Sequence, residues 1–382
     1  MQGYLDCNAT TPLDERVFEA MAPYLRDIHG NPSSVHRFGR QARAGIDQAR
    51  EQVAALVGVA PGQVIFTSGG TEANNLALWT RCMGRAPGTL VISAIEHASL
   101  REPAQAWTRR GWRLHELPVN AEGVVETERL EPLLAKRPAL VSVMLANNET
   151  GAVQPVAALA AQCRAAGVVM HSDAVQAAGK LVFDFASTGA QLMSLSSHKI
   201  YGPKGVGALI FDKALELDPM LVGGGQERGL RAGTENVAGI VGFGKAAELA
   251  LAERVERIRH MRTLRDHLES RLAGLPQIRV LAQGAPRLPN TVQLLLPGMD
   301  GATLLMELDK GGIAVSSGSA CAAGKTQPSH VLLAMGVDEA SARSAVRVSF
   351  GKDTTREEVD RLVDLLAQQA ARLSAASGAI GW

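Results

Sequence analysis

Two hydrophobic patterns alternate along the first half of the chain. Short apolar runs, "QVIFT" (Gln63 to Thr67), "TLVIS" (Thr89 to Ser93), "ALVSVMLA" (Ala139 to Ala146) and "VVMHSD" (Val168 to Asp173), predict strands. Between them lie stretches with helical spacing: "TEANNLALWTRCM", "ASLREPAQAWTRRG", and "VAALAAQCRAAG" ending at Gly167. Pro103 fits the first turn of the second of these helices, where its missing N–H is no loss. The strand runs are nearly all apolar, as in strands covered on both faces. This alternation predicts an α/β fold with a mainly parallel sheet.

The pattern changes further on. A long charged helix is expected from about Gly244 to Leu275, containing "ERVERIRHMRTLRDHLESRL", with its mixed charges on a solvated face. Beyond Val280, strands "TVQLLL" and "SAVRVSF" and helices around Leu304 and Val359 predict a smaller α+β domain. The division adopted is a large domain over residues 15–258 and a small domain formed by 1–14 with 259–382. The tail "SAASGAIGW" is small and polar, and is expected to be disordered.

Composition narrows the function classes. A chain of 382 residues is long enough for two cores, and its net charge of +1 gives no field suited to DNA or an anionic membrane. The basic cluster "TRRGWR" reads as a solvated helix end. No apolar run reaches the ~18 residues of a membrane span. "MQGYLDCNATTP" has neither a basic nor an apolar leader region, so no signal peptide and a cytoplasmic location are expected. Cys7, Cys82, Cys163 and Cys321 lie far apart without metal-ligand spacing, so no metal site or disulfide framework is expected. Cys163 reads as core, Cys82 as partly buried and Cys7 as non-catalytic. Cys321 differs: in "SSGSACAAGKTQPSH" it sits among small and turn-prone residues that cannot pack a core, as a mobile loop would.

Three stretches carry candidate chemistry. In "LMSLSSHKIYGPKGVGALIF" a strand-like run ends at Lys199 before a Gly/Pro-rich turn. A lone lysine on a turn is ordinarily a surface residue, but a desolvated one is a nucleophile toward carbonyl carbon. In "HSDAVQAAGK", Asp173 stands where a strand ends, the side on which open α/β sheets bind ligands. There it could cap a helix or pair with a pyridinium nitrogen. In "FTSGGTEANNLAL", a strand runs through Gly69-Gly70-Thr71 into a helix whose free N–H groups suit a phosphate. Neither GxGxxG nor GxxxxGK[ST] is present.

A phosphate turn, a strand-end Asp and a strand-end Lys, in that order, are the parts of a pyridoxal phosphate site. Here the chain resembles the cysteine desulfurases of the class V pyridoxal-phosphate-dependent aminotransferase family. The resemblance is carried by "YLDCNATTP", "GNPSSVHRFG", "FTSGGTEANN", "IEHASL", "ANNETGAVQP", "HSDAVQAAGK", "SSHKIYGPKGVGAL", "GGGQERGLRAGTEN", "SSGSACAAG" and "AVRVSFG", spanning Tyr4 to Gly351 in the family's order. It implies an aspartate aminotransferase-like PLP-dependent transferase fold with pyridoxal 5'-phosphate as cofactor. Lys199 would bond covalently to the cofactor, Asp173 would pair with the ring nitrogen, and Gln176 would contact the phenolic oxygen. His97 would stack on the ring and assist proton transfer, and Asn148 would touch cofactor or substrate. Gly70, Thr71, Ser196 and His198 would hold the phosphate. Thr234 would reach the phosphate of a neighbouring subunit, which implies a homodimer. Arg347 would clamp the carboxylate of the substrate, L-cysteine. Cys321 would accept the sulfur as a persulfide, release L-alanine, and pass the sulfur to an acceptor protein.

The "SSGSAC" lead-in resembles the long-loop group of the family. Some members carry a longer C-terminal extension that docks the iron–sulfur scaffold. This chain has only "SAASGAIGW" there, so tRNA or cofactor thiolation proteins also stand as acceptors. The alternatives are a selenocysteine lyase, another class V aminotransferase, or a non-catalytic scaffold of the same fold. A cysteine on such a stretch counts against an aminotransferase. The presence of both Lys199 and Cys321 counts against a non-catalytic scaffold.

Overall fold

The computed structural model describes residues 3–317 and 328–379. Among them the strands are β1 (Gly3–Tyr4), β2 (Val64–Thr67), β3 (Thr89–Ser93), β4 (Arg113–Leu117), β5 (Leu140–Ser142), β6 (Met170–Asp173), β7 (Leu192–Ser196), β8 (Gly207–Phe211), β9 (Arg279–Val280), β10 (Thr291–Leu295), β11 (Ile313–Ala314) and β12 (Ala345–Ser349). Seven form the main sheet in the order β2-β8-β7-β6-β5-β3-β4. From β7 to β4 every pairing is parallel, and β8 runs antiparallel to both β7 and β2.

The strands are buried on both faces, and the two-residue side-chain period divides them between two cores. Ile65, Leu90, Ile92, Leu192 and Leu209 pack with Leu76, Trp107 and Trp112 under the helices Gly70–Cys82 and Ala98–Thr108. The alternate residues Val64, Phe66, Val91, Val141, Met193 and Ile210 pack on the other face with Ile46, Val53 and Phe243. Those last three come from the helices Arg37–Leu56 and Val237–Ala252. These two helices approach so closely that a Cβ on Gly244 would lie 2.5 Å from Ala49 Cα.

The second unit is built around β10, flanked antiparallel by β12 and β9. Its core joins Val292, Leu294, Val346, Val348 and Phe350 to Leu264, Leu268, Leu304, Leu362 and Leu366. The N-terminus belongs here, because β1 pairs parallel with β11 and Leu5 is part of this core.

Three expectations change. The long charged helix is two helices, Val237–Ala252 and Arg254–Leu272, meeting at Glu253, whose backbone leaves the helical region (φ −99°, ψ 5°). The Glu253 carboxylate accepts from Arg16 and Arg257, which pins the break. Pro103 lies in the second turn of its helix, not the first. The Ser99 carbonyl that it leaves without an N–H accepts from Asn75 Nδ2 at 3.4 Å instead. The tail is not irregular up to Ala379, because the helix from Arg356 runs that far.

Candidate active site

Lys199 follows β7 directly, on the single 3₁₀ turn Ser197–Lys199. Its Nζ donates to the carbonyls of Asn8 (2.5 Å) and Ala9 (2.7 Å). Two residues on, Tyr201 has φ +71°, a left-handed conformation rare for an aromatic residue. The neighbours enforce it. The Tyr201 N–H donates to Thr11 Oγ1 (2.8 Å), its carbonyl accepts from Asp14 N–H (3.1 Å), and its hydroxyl accepts from Lys352 N–H (2.6 Å). The strained turn thus holds Lys199 against the N-terminal segment.

Asp173 ends β6, the strand beside β7. Its Oδ1 accepts the Val175 N–H (2.9 Å) and its Oδ2 the Asn74 amide (2.7 Å). Gln176 Nε2 donates to the Asn8 carbonyl (2.9 Å), while its Oε1 accepts from Lys180 Nζ (2.8 Å). An amide between a carbonyl and an amine donor fits only one way round, so its N–H₂ edge is fixed. Lys180 also donates to Asn8 Oδ1 at 3.0 Å. Burial, and then the nearby Lys199, push the Lys180 amine down to about 7.

At the helix start, a Cβ on Gly70 would stand 2.8 Å from Val175 Cγ2, so glycine is needed for the close approach. His198 Nδ1 lies 3.1 Å from Thr10 Oγ1. Burial and Lys199 push its imidazole down to about 4, which keeps it neutral with one N–H to donate.

His97 caps the helix Ala98–Thr108. Its Nδ1 accepts the Ser99 N–H (3.1 Å) and lies 2.8 Å from Ser99 Oγ. Burial lowers the basicity of its ring. Arg347, on β12, is buried. Its Nη1 donates to the Asn148 carbonyl (3.1 Å), and its Nη2 to Asp6 Oδ1 (2.7 Å). Its buried Nε has no partner among the described residues. Beside it, burial pushes the Glu149 carboxyl up to about 7, and Ser329 Oγ donates to it at 2.5 Å.

One cleft of about 640 Å³ gathers these groups: Gly70, Thr71, His97, Asn148, Asp173, Gln176, Ser196, His198, Lys199 and Arg347 all line it. Thr234 does not line it and stands exposed. Cys321 lies outside the described residues. The donor set fits pyridoxal phosphate. N–H groups at a helix start, with Ser196 and a neutral His198, suit the phosphate. Asp173, whose two oxygens both act as acceptors, suits a protonated ring nitrogen, and the fixed Gln176 amide suits the phenolic oxygen. Among the described residues no cluster of three or more His, Cys, Asp or Glu could hold a metal ion, and no helix is long and apolar enough to cross a membrane. Cys7, Cys82 and Cys163 are buried, and burial pushes each thiol up to about 12. Cys82 is thus more deeply buried than expected.

Sequence reasoning missed Asn8, Asn74 and Lys180. Each lies inside a stretch quoted above, and one signal was available for Asn74. It is a polar residue among Ala73, Leu76, Ala77 and Leu78 on the buried side of its helix.

The family model for class-V aminotransferases matches residues 3–362. The chain is 41% identical over 376 residues to a cysteine desulfurase of Trichormus azollae, covering 98% of this chain and 94% of that one. It is 40% identical over 376 residues to cysteine desulfurase IscS 1 of Archaeoglobus fulgidus, covering 98% of each. A solved NifS-like protein superposes with TM-score 0.91 at 38% identity, covering 97% of this chain and 100% of that chain.

Proposed function

The chain belongs to the class-V aminotransferase family and is a pyridoxal-phosphate-dependent cysteine desulfurase, and we propose that Lys199, His97, Asp173 and Arg347 carry its chemistry with Cys321 as the sulfur acceptor. The observation that supports this assignment is the convergence of these four described residues, from separate stretches of sequence, on a single cleft.

When bound, the cofactor supplies an electron sink for the carbon that loses its proton. Arg347 binds the α-carboxylate of L-cysteine, aided by its spare Nε–H. Lys199 Nζ takes the α-proton, and His97 assists its transfer. Asp173 and Gln176 hold the ring in register, while Gly70, Thr71, Ser196 and His198 hold the phosphate. The Cys321 thiolate attacks the substrate sulfur. An S–S bond forms as the Cβ–S bond breaks with its electron pair left on Cβ; one proton is added at Cβ and another, in place of the one Lys199 took, at Cα, which completes alanine.

The exposed position of Thr234, away from the cleft of its own chain, supports a homodimer in which it serves the neighbouring subunit. The reading also places the enzyme in the cytoplasm. It divides the chain into 15–258 and 1–14 with 259–382, and takes an iron–sulfur scaffold or a thiolation protein as the sulfur acceptor.

Borohydride reduction followed by peptide mass spectrometry is expected to find a pyridoxyl group on Lys199. Cys321→Ser is expected to keep that label and to release neither sulfide nor alanine from L-cysteine. An unlabelled Lys199, or full turnover in Cys321→Ser, would overturn the assignment.

A further inference from the structure

The hydrogen bonds behind His97 form a chain that leads back to Asp173. Asn74 is fully buried on the helix Gly70–Cys82. Its one amide nitrogen donates twice, to Asp173 Oδ2 at 2.7 Å and to Ser99 Oγ at 2.9 Å. Both amide hydrogens are then used, while Oδ1 is buried with no partner among the described residues. A half-satisfied amide is a poor contributor to core stability, so the two N–H bonds are what this position provides. Ser99 Oγ, having accepted from Asn74, directs its own hydrogen elsewhere, and His97 Nδ1 lies 2.8 Å away. The Ser99 backbone N–H meets the same nitrogen at 3.1 Å. Two donors converging on one ring nitrogen require that it present its lone pair.

We propose that Asn74 and Ser99 are positioning residues for His97: they hold its imidazole with Nδ1 as acceptor and Nε2 carrying the proton, and tie its orientation to the Asp173 carboxylate. The proposal rests on the reading of His97 as a proton-transfer group and adds the ring form in which it enters turnover. With Nε2 already protonated, the neutral ring offers an N–H there as a hydrogen-bond donor and cannot take up the α-proton at that nitrogen. Removal of the α-proton is then left to Lys199. Burial favours the neutral ring, the form in which the tautomer matters. Among the described residues, Asp173, Lys199, Arg347 and His330 are charged or titratable groups that act on it.

Full-length protein labelled with [15N]histidine, with and without bound cofactor, tests this by two-bond 1H–15N correlation spectra. His97 is assigned by the signals lost in His97→Gln. In the wild type the expected pattern is an unprotonated Nδ1 and a protonated Nε2. Ser99→Ala removes one donor from Nδ1 and is expected to raise the titration midpoint of His97 by about one pH unit. Ser99→Thr keeps the hydroxyl and the wild-type midpoint. Ser99→Ala is also expected to lower kcat about tenfold with KM for L-cysteine unchanged, and Ser99→Thr to restore it. A proton on Nδ1 in the wild type, or an unmoved midpoint in Ser99→Ala, overturns the proposal. Asn74→Ala is expected to shift the midpoint in the same direction by less. If that variant does not fold, the two Ser99 variants decide alone. A missing pyridoxyl label on Lys199 would overturn the functional reading and leave the tautomer assignment standing.

Discussion

Replacing Gly70 by alanine adds a single methyl group at the phosphate end of the cleft. The new Cβ would stand 2.8 Å from Val175 Cγ2 and 3.5 Å from Ser196 Cβ. Non-bonded carbons pack at about 3.5–4.0 Å, so the helix start and Val175 must part by roughly 1 Å. Neither moves without consequence. Gly70 opens a helix whose Ala73, Leu76 and Ala77 are packed in the core. The Val175 N–H is bonded to Asp173 Oδ1 at 2.9 Å. Moving the helix withdraws the Gly70 and Thr71 N–H groups from the place proposed for the phosphate, and moving Val175 disturbs Asp173, the carboxylate proposed to pair with the ring nitrogen. Overpacking by a methyl group costs about 1–3 kcal/mol. If that cost falls on the cofactor-bound state, affinity drops about 5- to 150-fold. The assay is titration of cofactor-free protein with pyridoxal phosphate, read by equilibrium dialysis. Gly62→Ala is the control, because a Cβ there meets nothing within 4 Å, and it should bind as the wild type does. A Gly70→Ala protein that binds within about twofold of wild type refutes the claim that this glycine serves a close approach.

Arg347→Lys keeps the charge and loses the fork that reaches both Asn148 and Asp6. KM for L-cysteine is expected to rise about 10- to 100-fold with a smaller change in kcat, and an unchanged KM would contradict the carboxylate assignment. Burial pushes the Glu96 carboxyl up to about 8. The folded protein therefore keeps a proton that the unfolded chain releases between pH 4.5 and 8, and stability falls as pH rises through that window, by up to about 5 kcal/mol. Glu96→Gln cannot titrate, so denaturant midpoints of wild type should fall relative to the variant from pH 5 to 9; parallel curves would refute this. Arg50 holds Glu227 through bonds of 2.6 and 2.8 Å, with both side chains buried. Arg50→Met is expected to cost about 3–5 kcal/mol by leaving a buried carboxylate uncompensated, and Arg50→Met with Glu227→Gln to recover part of it. Thermal melts that rank the single variant as stable as the double would sink the argument.

How far the fold could be read from sequence depended on how local each cause was. Fully buried strands such as Thr89–Ser93 announce themselves by unbroken apolar runs, and the expected and observed bounds coincide there. "ALVSVMLA" shortens to Leu140–Ser142 because the chain then leaves its β3 neighbour, although Val143 and Leu145 still donate to the His171 and Asp173 carbonyls of β6. The Met144 N–H goes to Glu96 Oε1 at 2.7 Å, and Ala146 bridges Val153. The break at Glu253 was hidden because helical spacing continues on both sides of it. In the site, Asp173 and Lys199 were legible because each stands at the end of its own strand. Asn8 and Lys180 were not. Their partners lie at separations of up to 341 and 172 residues, and no local pattern encodes such a meeting.

Asn8 shows what that meeting achieves. Its carbonyl takes Lys199 and Gln176 from the ends of the main sheet, while its Oδ1 takes Lys180 and Asn290. Its Nδ2 gives to Thr291 Oγ1 and to the Asn148 carbonyl, and its N–H to Ser349 Oγ. Asn290, Thr291 and Ser349 belong to the second unit, which also holds Leu5, three residues earlier in the chain. Asn8, whose carbonyl receives the Lys199 amine alongside that of Ala9, is therefore fixed to the second unit through Asn290, Thr291 and Ser349. Any sliding of the small sheet against the large one must change the acceptors offered to Lys199. The Asn148 carbonyl that meets Asn8 also meets Arg347, so the same displacement reaches the residue proposed to clamp the substrate carboxylate. Lys199 and the proposed clamp Arg347 are thus registered to each other through the packing of the two units. That arrangement explains why Asp173 and Lys199 come from strand ends of the main sheet, while the residues that align Lys199 come from the first nine residues and from β10 and β12 of the second sheet.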